Sequence, residues 1–395
     1  MQTMSLRLML EVAPDVRETL VKNLFWIDRG ITGVELSGDV PPVLTVTCTD
    51  DSDADEIEAQ VLADVTKMVA QAATVCPRTV YETQPCHGEP LAADEVCRRL
   101  EERGWLSMEL SGSHVYAGLM AELYYGLDRA FGRRARGLGA QEVHLPSLLG
   151  ADTLVTSGYL HGNAHMGNYV FHLHEDRSAV ARFTEKCVTD TGGIDLSGLE
   201  TSADVPEAVL SPAACQPVYR MLAGRTVATP FVTTGYVRCY RYESGATHGL
   251  RRSREFGVRE IVYVGTERGA ADFRAQLIGV AREFLDRFEL WGSLVTASDP
   301  FFTDTSADYR VYQLALELKH EVQLGLGGDR VAAASVNQHG DHFGRAWDIR
   351  AGNTNERAHS CCMGFGIDRW CLAVFSQFGF DVRSWPRALR EVVGV

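Results

Sequence analysis

The 395-residue sequence contains no CxxC pair, no apolar stretch long enough to span a membrane and no excess of positive charge. The missing CxxC pairs argue against a zinc ribbon, and the missing apolar stretch argues against a transmembrane protein. Lys and Arg number 38 against 52 Asp and Glu, a net charge of -14. A general nucleic-acid binder would show the opposite, basic balance.

The start of the chain also lacks the features of a signal peptide. Residues 1–12 carry Arg7 and Glu11 and have no long apolar region. The ten cysteines are therefore not read as disulfide partners in a secreted protein. We expect a reducing cytoplasm, in which cysteines pack in the core, act in catalysis or bind metal.

Periodicity and turn residues divide the chain into two parts. Residues 1–90 are predicted to form a small α+β domain, and residues 91–395 a larger domain of mixed helices and strands. In the first part we predict strands at residues 5–12 and 43–48 and helices at residues 15–28 and 55–72. The segment QPCHGEP, residues 84–90, carries two prolines and a glycine and is predicted to be a linker.

The second part begins with a predicted long helix and ends with a glycine-punctuated segment that leads into an apolar helix. The predicted elements are a helix at 113–134, a strand at 142–145 ending at Pro146, two arginine-rich strands within 235–264, an amphipathic helix at 267–288 and the strand or turn and helix of 362–375.

The arginine-rich segment reads VRCYRYESGATHGLRRSREFGVRE and alternates on both sides of a Gly/Ser/Thr loop, which is typical of an antiparallel pair. Arg241 and Glu243 are two residues apart and share one face of the first strand. Three side chains share one face of the second strand if it stays extended: Arg252, Arg254 and Phe256. Guanidinium groups bind phosphate and a ring packs against a base, so the hairpin suits a nucleotide. A solvated hairpin with surface arginines fits the pattern equally well.

This hairpin resembles motif 2 of class II aminoacyl-tRNA synthetases, an Arg-x-Glu strand, a loop and an Arg-x-x-x-Phe strand. The resemblance implies that Arg241 holds the ATP α-phosphate and the amino acid carboxylate. It implies that Glu243 supports the adenine side, that Phe256 stacks on adenine and that Arg252 contacts the triphosphate. Arg254 joins them as an ATP-binding candidate.

A second segment, GFGIDRW at residues 364–370, resembles motif 3, whose arginine grips the γ-phosphate; here that is Arg369. Its glycines allow a close backbone approach. Residues 113–134 with the following strand and Pro146 resemble motif 1 more loosely, and an ordinary buried helix fits them nearly as well. Together the motifs imply an α+β fold with an antiparallel sheet flanked by helices, Arg241 and Arg369 as catalytic residues, and a homodimer.

Three residues suggest a metal site: Cys215 in SPAACQPVY, Glu260 at the end of motif 2 and Cys362 before motif 3. Two thiolates and a carboxylate leave tetrahedral zinc one open position for a substrate. A single free cysteine is more often a small core residue. Cys361 is the neighbouring alternative to Cys362, which we prefer because one residue separates it from Gly-Phe-Gly.

The Cys–Glu–Cys set resembles the atypical seryl-tRNA synthetases of methanogenic archaea and, more closely, the bacterial amino acid:[carrier protein] ligases. DPFF at 299–302, LELKHE at 316–321, SVNQHGDHFGRAWDI at 335–349 and AHSCCMGFG at 358–366 fit the ligases. Asn337, His339 and His342 are candidate pocket residues, although histidines in such a loop are more often structural. No glutamate can be assigned to magnesium before motif 3.

The resemblance implies Zn²⁺- and Mg²⁺-dependent activation of a small amino acid (glycine, alanine or serine class) by ATP, followed by transfer to the phosphopantetheine thiol of a carrier protein. A seryl-tRNA synthetase and a catalytically silent binding module are the alternatives. We expect no tRNA partner, because tRNA binding needs an extended basic surface and residues 50–58 are acidic. Arg133, Arg134 and Arg136 suit either a small basic patch for a carrier protein or the stabilisation of a helix C-terminus.

Overall fold

The computed structural model describes residues 1–8, 17, 20–21, 24–25, 27–38, 41–72 (backbone alone at 67–72), 77–85, 88–187, 195–196, 199, 202–243, 248–297, 317–352 and 356–395. Half of the predicted helix at 15–28, the loop tip at 244–247 and the DPFF segment at 299–302 lie outside these residues. So does Leu316, the first residue of LELKHE.

The strands of the described chain are β1 (Gln2–Arg7), β2 (Ile31–Leu36), β3 (Val43–Cys48), β4 (Thr79–Glu82), β5 (Leu106–Leu110), β6 (Ser113–Tyr116), β7 (Gln141–Glu142), β8 (Leu148–Gly150), β9 (Asn168–Val170), β10 (Ala208–Leu210), β11 (Thr226–Val227), β12 (Phe231–Tyr240), β13 (Glu255–Gly265), β14 (Gly292–Ala297), β15 (Lys319–Leu326), β16 (Asp329–Gly340), β17 (Arg350–Ala351), β18 (Glu356–Arg357) and β19 (His359–Gly366).

The α-helices of the same residues are α1 (Ala54–Ala72), α2 (Ala93–Glu102), α3 (Gly118–Gly137), α4 (Ala151–Thr156), α5 (Tyr159–Asn163), α6 (Arg177–Cys187), α7 (Gln216–Met221), α8 (Glu267–Arg287), α9 (His342–Ala346), α10 (Ile367–Phe378) and α11 (Arg387–Val393). None of these helices combines the length and the apolar content needed to cross a bilayer.

The N-terminal part contains a three-stranded antiparallel sheet in the order β1-β3-β2. In β3 the buried side chains are Leu44, Val46 and Cys48, which alternate with half-buried ones and pack in one core with Ile57 and Val61 of α1. This alternation is the pattern from which the strand at 43–48 was predicted, and the prediction is confirmed. The strand predicted at 5–12 begins earlier in the structure, at Gln2, because β1 pairs along β3 from Gln2 to Arg7.

The centre of the molecule is an eight-stranded sheet in the order β4-β14-β15-β16-β19-β13-β12-β7. All neighbours are antiparallel except β12 and β7, which are parallel. The α+β class and the antiparallel sheet flanked by helices are therefore confirmed. Strand β4 falls within the predicted 1–90 unit but extends the edge of this large sheet, and the domain boundary at residue 90 stays a prediction.

The large sheet has a different core on each face. On one face Phe131 of α3 stacks on Phe365 at a centroid distance of 4.2 Å, in a core shared with α8 and α10. The opposite face carries a smaller core that contains Tyr219, Phe343 and Cys362. Side chains alternate along a strand, so the adjacent Cys361 and Cys362 enter opposite cores.

Two predicted elements have different bounds in the structure. Residues 113–116 form β6, which pairs with β5 across a turn at Gly112 (φ 80°), so the helix predicted at 113–134 begins only at Gly118. The strand predicted at 142–145 is the short β7, which ends at Glu142. The predicted helix at 267–288 is confirmed as α8, and the Thr266 hydroxyl caps its N-terminus by accepting from the Gly269 N–H at 3.1 Å.

Candidate active site

Neighbouring strands of the large sheet place the candidate metal ligands on one face. In the pairing of β13 with β19, Glu260 lies opposite Gly364 and Val262 lies opposite Cys362. In the pairing of β19 with β16, Cys362 lies opposite Asn337. Directly opposed residues of antiparallel strands point to the same side. Glu260, Cys362 and Asn337 therefore share one face of the sheet.

The third candidate ligand reaches this face from a separate segment. Cys215 occupies the N-cap position of α7 and packs in the smaller core with Cys362. The donor atoms of Cys215, Glu260 and Cys362 all lie within 4.8 Å of one another, and all three residues are buried. Within the described part of the chain, no other group of three His, Cys, Asp or Glu side chains converges in this way. The three residues named from the sequence are brought together, and we call them the Cys–Glu–Cys cluster.

The chemistry of this cluster fits a zinc ion. Burial raises the pKa of Glu260 to about 7, although contacts with Cys362 and the charge of Arg241 act in the other direction. The pKa of the Cys362 thiol is raised well above its usual value, first by its hydrogen bond with Cys215 and then by burial. All three donors become negative on losing a proton, so a cation among them offsets their mutual repulsion. Thiolate and carboxylate together are a ligand set that zinc accepts in tetrahedral sites.

Asn337 and His339 border the cluster on its β16 side. The Asn337 amide donates to the Ser335 hydroxyl at 3.1 Å and lies 3.7 Å from the Cys362 sulfur. The His339 Nε2 atom lies 3.8 Å from the same sulfur. Both residues predicted from the sequence therefore lie beside the candidate metal ligands.

The His339 ring is held in place on its other side. Its Nδ1 atom lies 3.2 Å from the Tyr219 hydroxyl and 3.2 Å from the Ser360 hydroxyl. His342 has a different environment, because its Nε2 atom lies 2.9 Å from the Ser157 carbonyl oxygen and its ring packs against Phe343. His339 is thus positioned next to the cluster, whereas His342 joins α9 to the segment after α4.

The arginine of motif 2 lies beside the segment that carries Cys215. Arg241 follows β12, and its Nε atom donates to the Pro212 carbonyl oxygen at 3.0 Å. Its guanidinium carbon lies 5.3 Å from the centroid of the Phe256 ring. Cys239 is paired with Phe256, which places Arg241 and Phe256 on the same face as the Cys–Glu–Cys cluster.

The remaining motif 2 candidates contact neighbouring side chains. Arg252 and Glu243 form an ion pair with a distance of 2.5 Å from Nε to Oε2, and each side chain is 9% exposed. The Arg254 guanidinium lies 4.8 Å from the centroid of the Tyr242 ring. Arg252 and Glu243 therefore meet across the hairpin.

The prediction that Arg252 and Arg254 continue the second strand is wrong. Strand β13 begins at Glu255, and residues Gly249–Arg251 form a 3-10 helix. The physical reason is a competing partner: the Arg254 N–H donates to the Gly112 carbonyl oxygen at 2.7 Å, which belongs to the β5–β6 turn.

Arg369, the motif 3 arginine, lies in the first turn of α10. Its Nε donates to the Arg251 carbonyl oxygen at 2.9 Å, and a terminal nitrogen donates to the Ala332 carbonyl oxygen at 2.7 Å. These contacts hold the guanidinium between the end of the hairpin loop and β16. Arg369 thus contacts the backbone of Arg251, the residue before Arg252.

Asp368, the residue before Arg369, was not predicted from the sequence as part of this region. Asp368 is 1% exposed, accepts the Gly257 N–H at 2.7 Å and accepts the Tyr116 hydroxyl. Burial raises the pKa of Asp368, against the charge of Arg238 and these hydrogen bonds. An acidic residue at the start of a largely apolar helix was the available signal. The Asp368 carboxylate joins α10 directly to β13.

Two of the three arginines at the end of α3 form ion pairs. Arg134 lies 2.7 Å from Glu283, and Arg136 lies 2.9 Å from Glu142. Arg133 is exposed. The role of these arginines toward a carrier protein stays a prediction.

Comparison with known proteins shows the fold of the chain. The sequence pattern of the tRNA synthetase class II core domain (G, H, P, S and T) matches residues 200–378. The solved structure of M. kandleri SerRS in complex with A. aeolicus tRNASec superposes with a TM-score of 0.69, at 23% sequence identity, over 99% of this chain and 77% of that chain. The chain therefore has the class II synthetase core fold.

Curated relatives fall into two groups. Amino acid–[acyl-carrier-protein] ligase 1 of Bradyrhizobium diazoefficiens is 33% identical over 271 residues, 66% of this chain and 78% of the relative. Ligase 2 of the same organism is 33% identical over 273 residues, 66% of this chain and 77% of the relative. The type-2 serine–tRNA ligase of Methanopyrus kandleri is 26% identical over 315 residues, 75% of this chain and 59% of the relative. Both groups are those that the Cys–Glu–Cys pattern resembles.

Proposed function

The chain belongs to the family of amino acid–[acyl-carrier-protein] ligases, ATP-dependent enzymes on the class II synthetase core, and we propose that it activates a small amino acid and transfers it to a carrier protein. The amino acid is of the glycine, alanine or serine class, and the acceptor is the phosphopantetheine thiol. The observation that carries the proposal is the convergence of Cys215, Glu260 and Cys362 within 4.8 Å on the face that also holds Arg241.

The proposed metal is zinc, held by the Cys–Glu–Cys cluster. Bound there, it would supply a Lewis-acidic position for the α-amino group of the substrate. Asn337 and His339 line the β16 side of this position, and Arg241 lies on the β12 side. The amino group and the carboxylate of one small amino acid can therefore be held at the same time.

The first proposed step joins the substrate carboxylate to ATP. A carboxylate oxygen attacks the α-phosphorus, the bond to pyrophosphate breaks, and an aminoacyl-adenylate forms. Arg241 and Arg369 are held by backbone carbonyls before the reaction, so they can stabilise charge on the phosphate oxygens without reorganising. In this proposal Phe256 packs on adenine, and Glu243, Arg252 and Arg254 complete the ATP site. We propose that Mg²⁺ enters with the triphosphate.

The second proposed step needs no nucleophile from the protein. The pantetheine sulfur, as thiolate, attacks the acyl carbon, the bond to AMP breaks and a thioester forms. Cys215 and Cys362 form no disulfide in the structure. In this proposal their thiols bind the metal and do not act as nucleophiles. Free thiols suit a reducing cytoplasm, which is where we place the protein.

Transfer to tRNA is the second candidate, and one observation favours it. The likeness to M. kandleri SerRS covers 99% of this chain, so it includes the N-terminal sheet. The charge of that part argues the other way, since Asp50, Asp51, Asp53 and Asp55 follow β3 and tRNA phosphates need basic partners. We therefore favour the carrier protein.

Two assays in sequence test the proposal. Pyrophosphate exchange with each standard amino acid identifies the activated substrate, and we expect a small one. Enzyme, ATP, Mg²⁺ and that amino acid are then incubated with holo-carrier protein, with apo-carrier protein as the control and with tRNA in parallel. A mass increase on the holo form alone is the expected result. Charged tRNA together with an unmodified holo-carrier protein would establish the tRNA alternative instead.

A further inference from the structure

The face that carries the Cys–Glu–Cys cluster continues across two more strands. In the pairing of β15 with β16, Lys319 lies opposite Asn337 and Glu321 lies opposite Ser335. Since Asn337 is itself opposite Cys362, one row across the sheet contains Lys319, Asn337 and Cys362. Neighbouring strands are about 4.8 Å apart, so the Cα atoms of Lys319 and Cys362 are roughly 10 Å apart.

The neighbours of Lys319 and Glu321 along β15 show which face of the sheet these two side chains occupy. His320 points to the opposite face, where its Nδ1 atom lies 3.3 Å from the Arg274 guanidinium of α8. Val322 is fully buried in the core of that same face. Lys319 and Glu321 therefore face the side of the sheet that holds the candidate metal ligands.

Lys319 and Glu321 form an ion pair that is largely removed from solvent. The Nζ atom of Lys319 lies 2.9 Å from Oε1 of Glu321, and the two side chains are 11% and 21% exposed. Lysine is among the residue types that are rarely buried. Replacing a buried ion pair by apolar residues of similar volume is often neutral or stabilising. Stability alone therefore gives little reason for this pair to lie here.

We propose that the Lys319–Glu321 ion pair is the far wall of the amino acid side-chain pocket and restricts the enzyme to small side chains. This inference rests on the proposed function. With the amino group at the cluster and the carboxylate toward Arg241 on the β12 side, the side chain is left with the β16 and β15 side of the face. Along that direction it meets Asn337 first and the ion pair next.

The restriction follows from the cost of placing apolar atoms against a buried charge pair. A side chain of one or two heavy atoms ends near Asn337 and leaves the ion pair undisturbed. A long apolar side chain would displace the remaining water around Lys319 and Glu321 and offer no hydrogen bond in return. The ion pair thus disfavours long side chains both because they are large and because they are apolar.

The test compares amino acid selectivity in variants of the whole protein. Lys319→Ala/Glu321→Gln removes both charges and the bulk of the lysine. We expect the pyrophosphate exchange rate with leucine or methionine, relative to the best small amino acid, to rise at least about tenfold. Arg78→Met/Glu317→Gln removes an exposed ion pair near the start of the same strand and is the matched control. It should keep the wild-type ratio.

A charge-swapped variant separates this role from a general disturbance of β15. Lys319→Glu/Glu321→Lys retains an ion pair and should keep the preference for small amino acids. Zinc content and the melting transition show whether each variant is folded. If the alanine variant is not, Lys319→Met/Glu321→Gln keeps the volume, removes the charges and is expected to relax selectivity in the same direction.

Three results have distinct meanings. Relaxed selectivity in the neutral variant with retained selectivity in the swapped variant supports the wall. An unchanged ratio in the folded neutral variant, or equal relaxation in the swapped variant, overturns it. Wild-type protein that exchanges pyrophosphate with no amino acid would instead remove the proposed function itself.

Discussion

A Cβ atom on Gly364 would lie 2.7 Å from the Oε2 atom of Glu260, the residue directly opposite on the neighbouring strand. The glycine therefore leaves the space that the Glu260 carboxylate occupies. We expect Gly364→Ala to displace this carboxylate and to weaken zinc binding by about 10- to 100-fold, while the protein stays folded. A competition assay with a chelator measures the affinity.

Gly366, two residues along the same strand, is the control for this substitution. Its added Cβ atom would meet only the Ala333 carbonyl oxygen, at 3.4 Å. Gly366→Ala should keep wild-type zinc affinity. Equal affinities in the two alanine variants would contradict the assignment of Glu260 as a ligand.

The second prediction concerns the two adjacent cysteines. Cys215→Ala and Cys362→Ala should each lose the bound zinc, because each removes one of three protein ligands. Cys361→Ala should retain about one zinc per chain, since Cys361 enters the core on the other face of the sheet. Metal analysis of the purified proteins decides this. Zinc loss in the Cys361 variant with retention in the Cys362 variant would reverse the assignment.

The third prediction concerns the two catalytic candidates. Arg241→Ala and Arg369→Ala should each lower pyrophosphate exchange by two orders of magnitude or more, which corresponds to about 3 kcal/mol of lost charge stabilisation. Arg345, an exposed residue paired with Asp341, provides the control substitution. Near wild-type exchange in either folded variant would remove that arginine from the proposed ATP site.

The fourth prediction is a pH dependence of stability. Burial and the charge of Arg274 lower the pKa of His320 to about 4, against about 6.5 in an unfolded chain. Between these values the unfolded chain binds more protons, so the free energy of unfolding falls as the pH decreases from about 6.5 to about 4.

Urea unfolding at pH 7 and pH 4.5 measures this effect. His320→Gln cannot take up that proton, and we expect its loss of stability between the two pH values to be smaller by on the order of 2 kcal/mol. The same loss in both proteins would show that His320 does not contribute to the dependence.

The fifth prediction is a symmetric homodimer, the commonest closed assembly. It follows from the resemblance of α3 and the following strand to motif 1. Tyr125 on α3 is 60% exposed, although most of its neighbours on the helix are buried. Light scattering at micromolar concentration should give twice the chain mass, and a monomer mass would contradict the motif 1 assignment.

The sequence predicted the parts of the fold that depend on local periodicity. The helix that became α8 and the strand at Val43–Cys48 have regular spacing of apolar residues, and both are present. The start of α3 was predicted too early, because the four residues 113–116 are too few to show a period of their own before the helix. Their strand conformation depends on pairing with β5, a partner that periodicity does not reveal.

The candidate site also contains residues that the sequence predicted and residues that it did not. Cys215, Glu260 and Cys362 were named from motif positions, and the structure brings their donor atoms together. Lys319 and Glu321 of the LELKHE segment were not predicted as site residues, because their place on the site face depends on the register of β15 with β16. Arg254 was predicted to lie in the second strand, but that strand begins only at Glu255, since the Arg254 N–H donates to the Gly112 carbonyl oxygen instead. The features that the sequence could not predict are therefore those that depend on pairing between strands or loops far apart in the chain.

The hydrogen bond from the Gly257 N–H to the Asp368 carboxylate has a consequence for how nucleotide recognition can vary. Gly257 follows Phe256 directly and Asp368 precedes Arg369 directly. One buried carboxylate thus fixes the distance between the proposed adenine-stacking ring and the proposed γ-phosphate ligand. The two ends of the proposed ATP site are therefore held at one separation by a residue that belongs to neither end. Analogues with a longer or shorter phosphate chain should therefore be rejected even though each half of the molecule fits its own contacts.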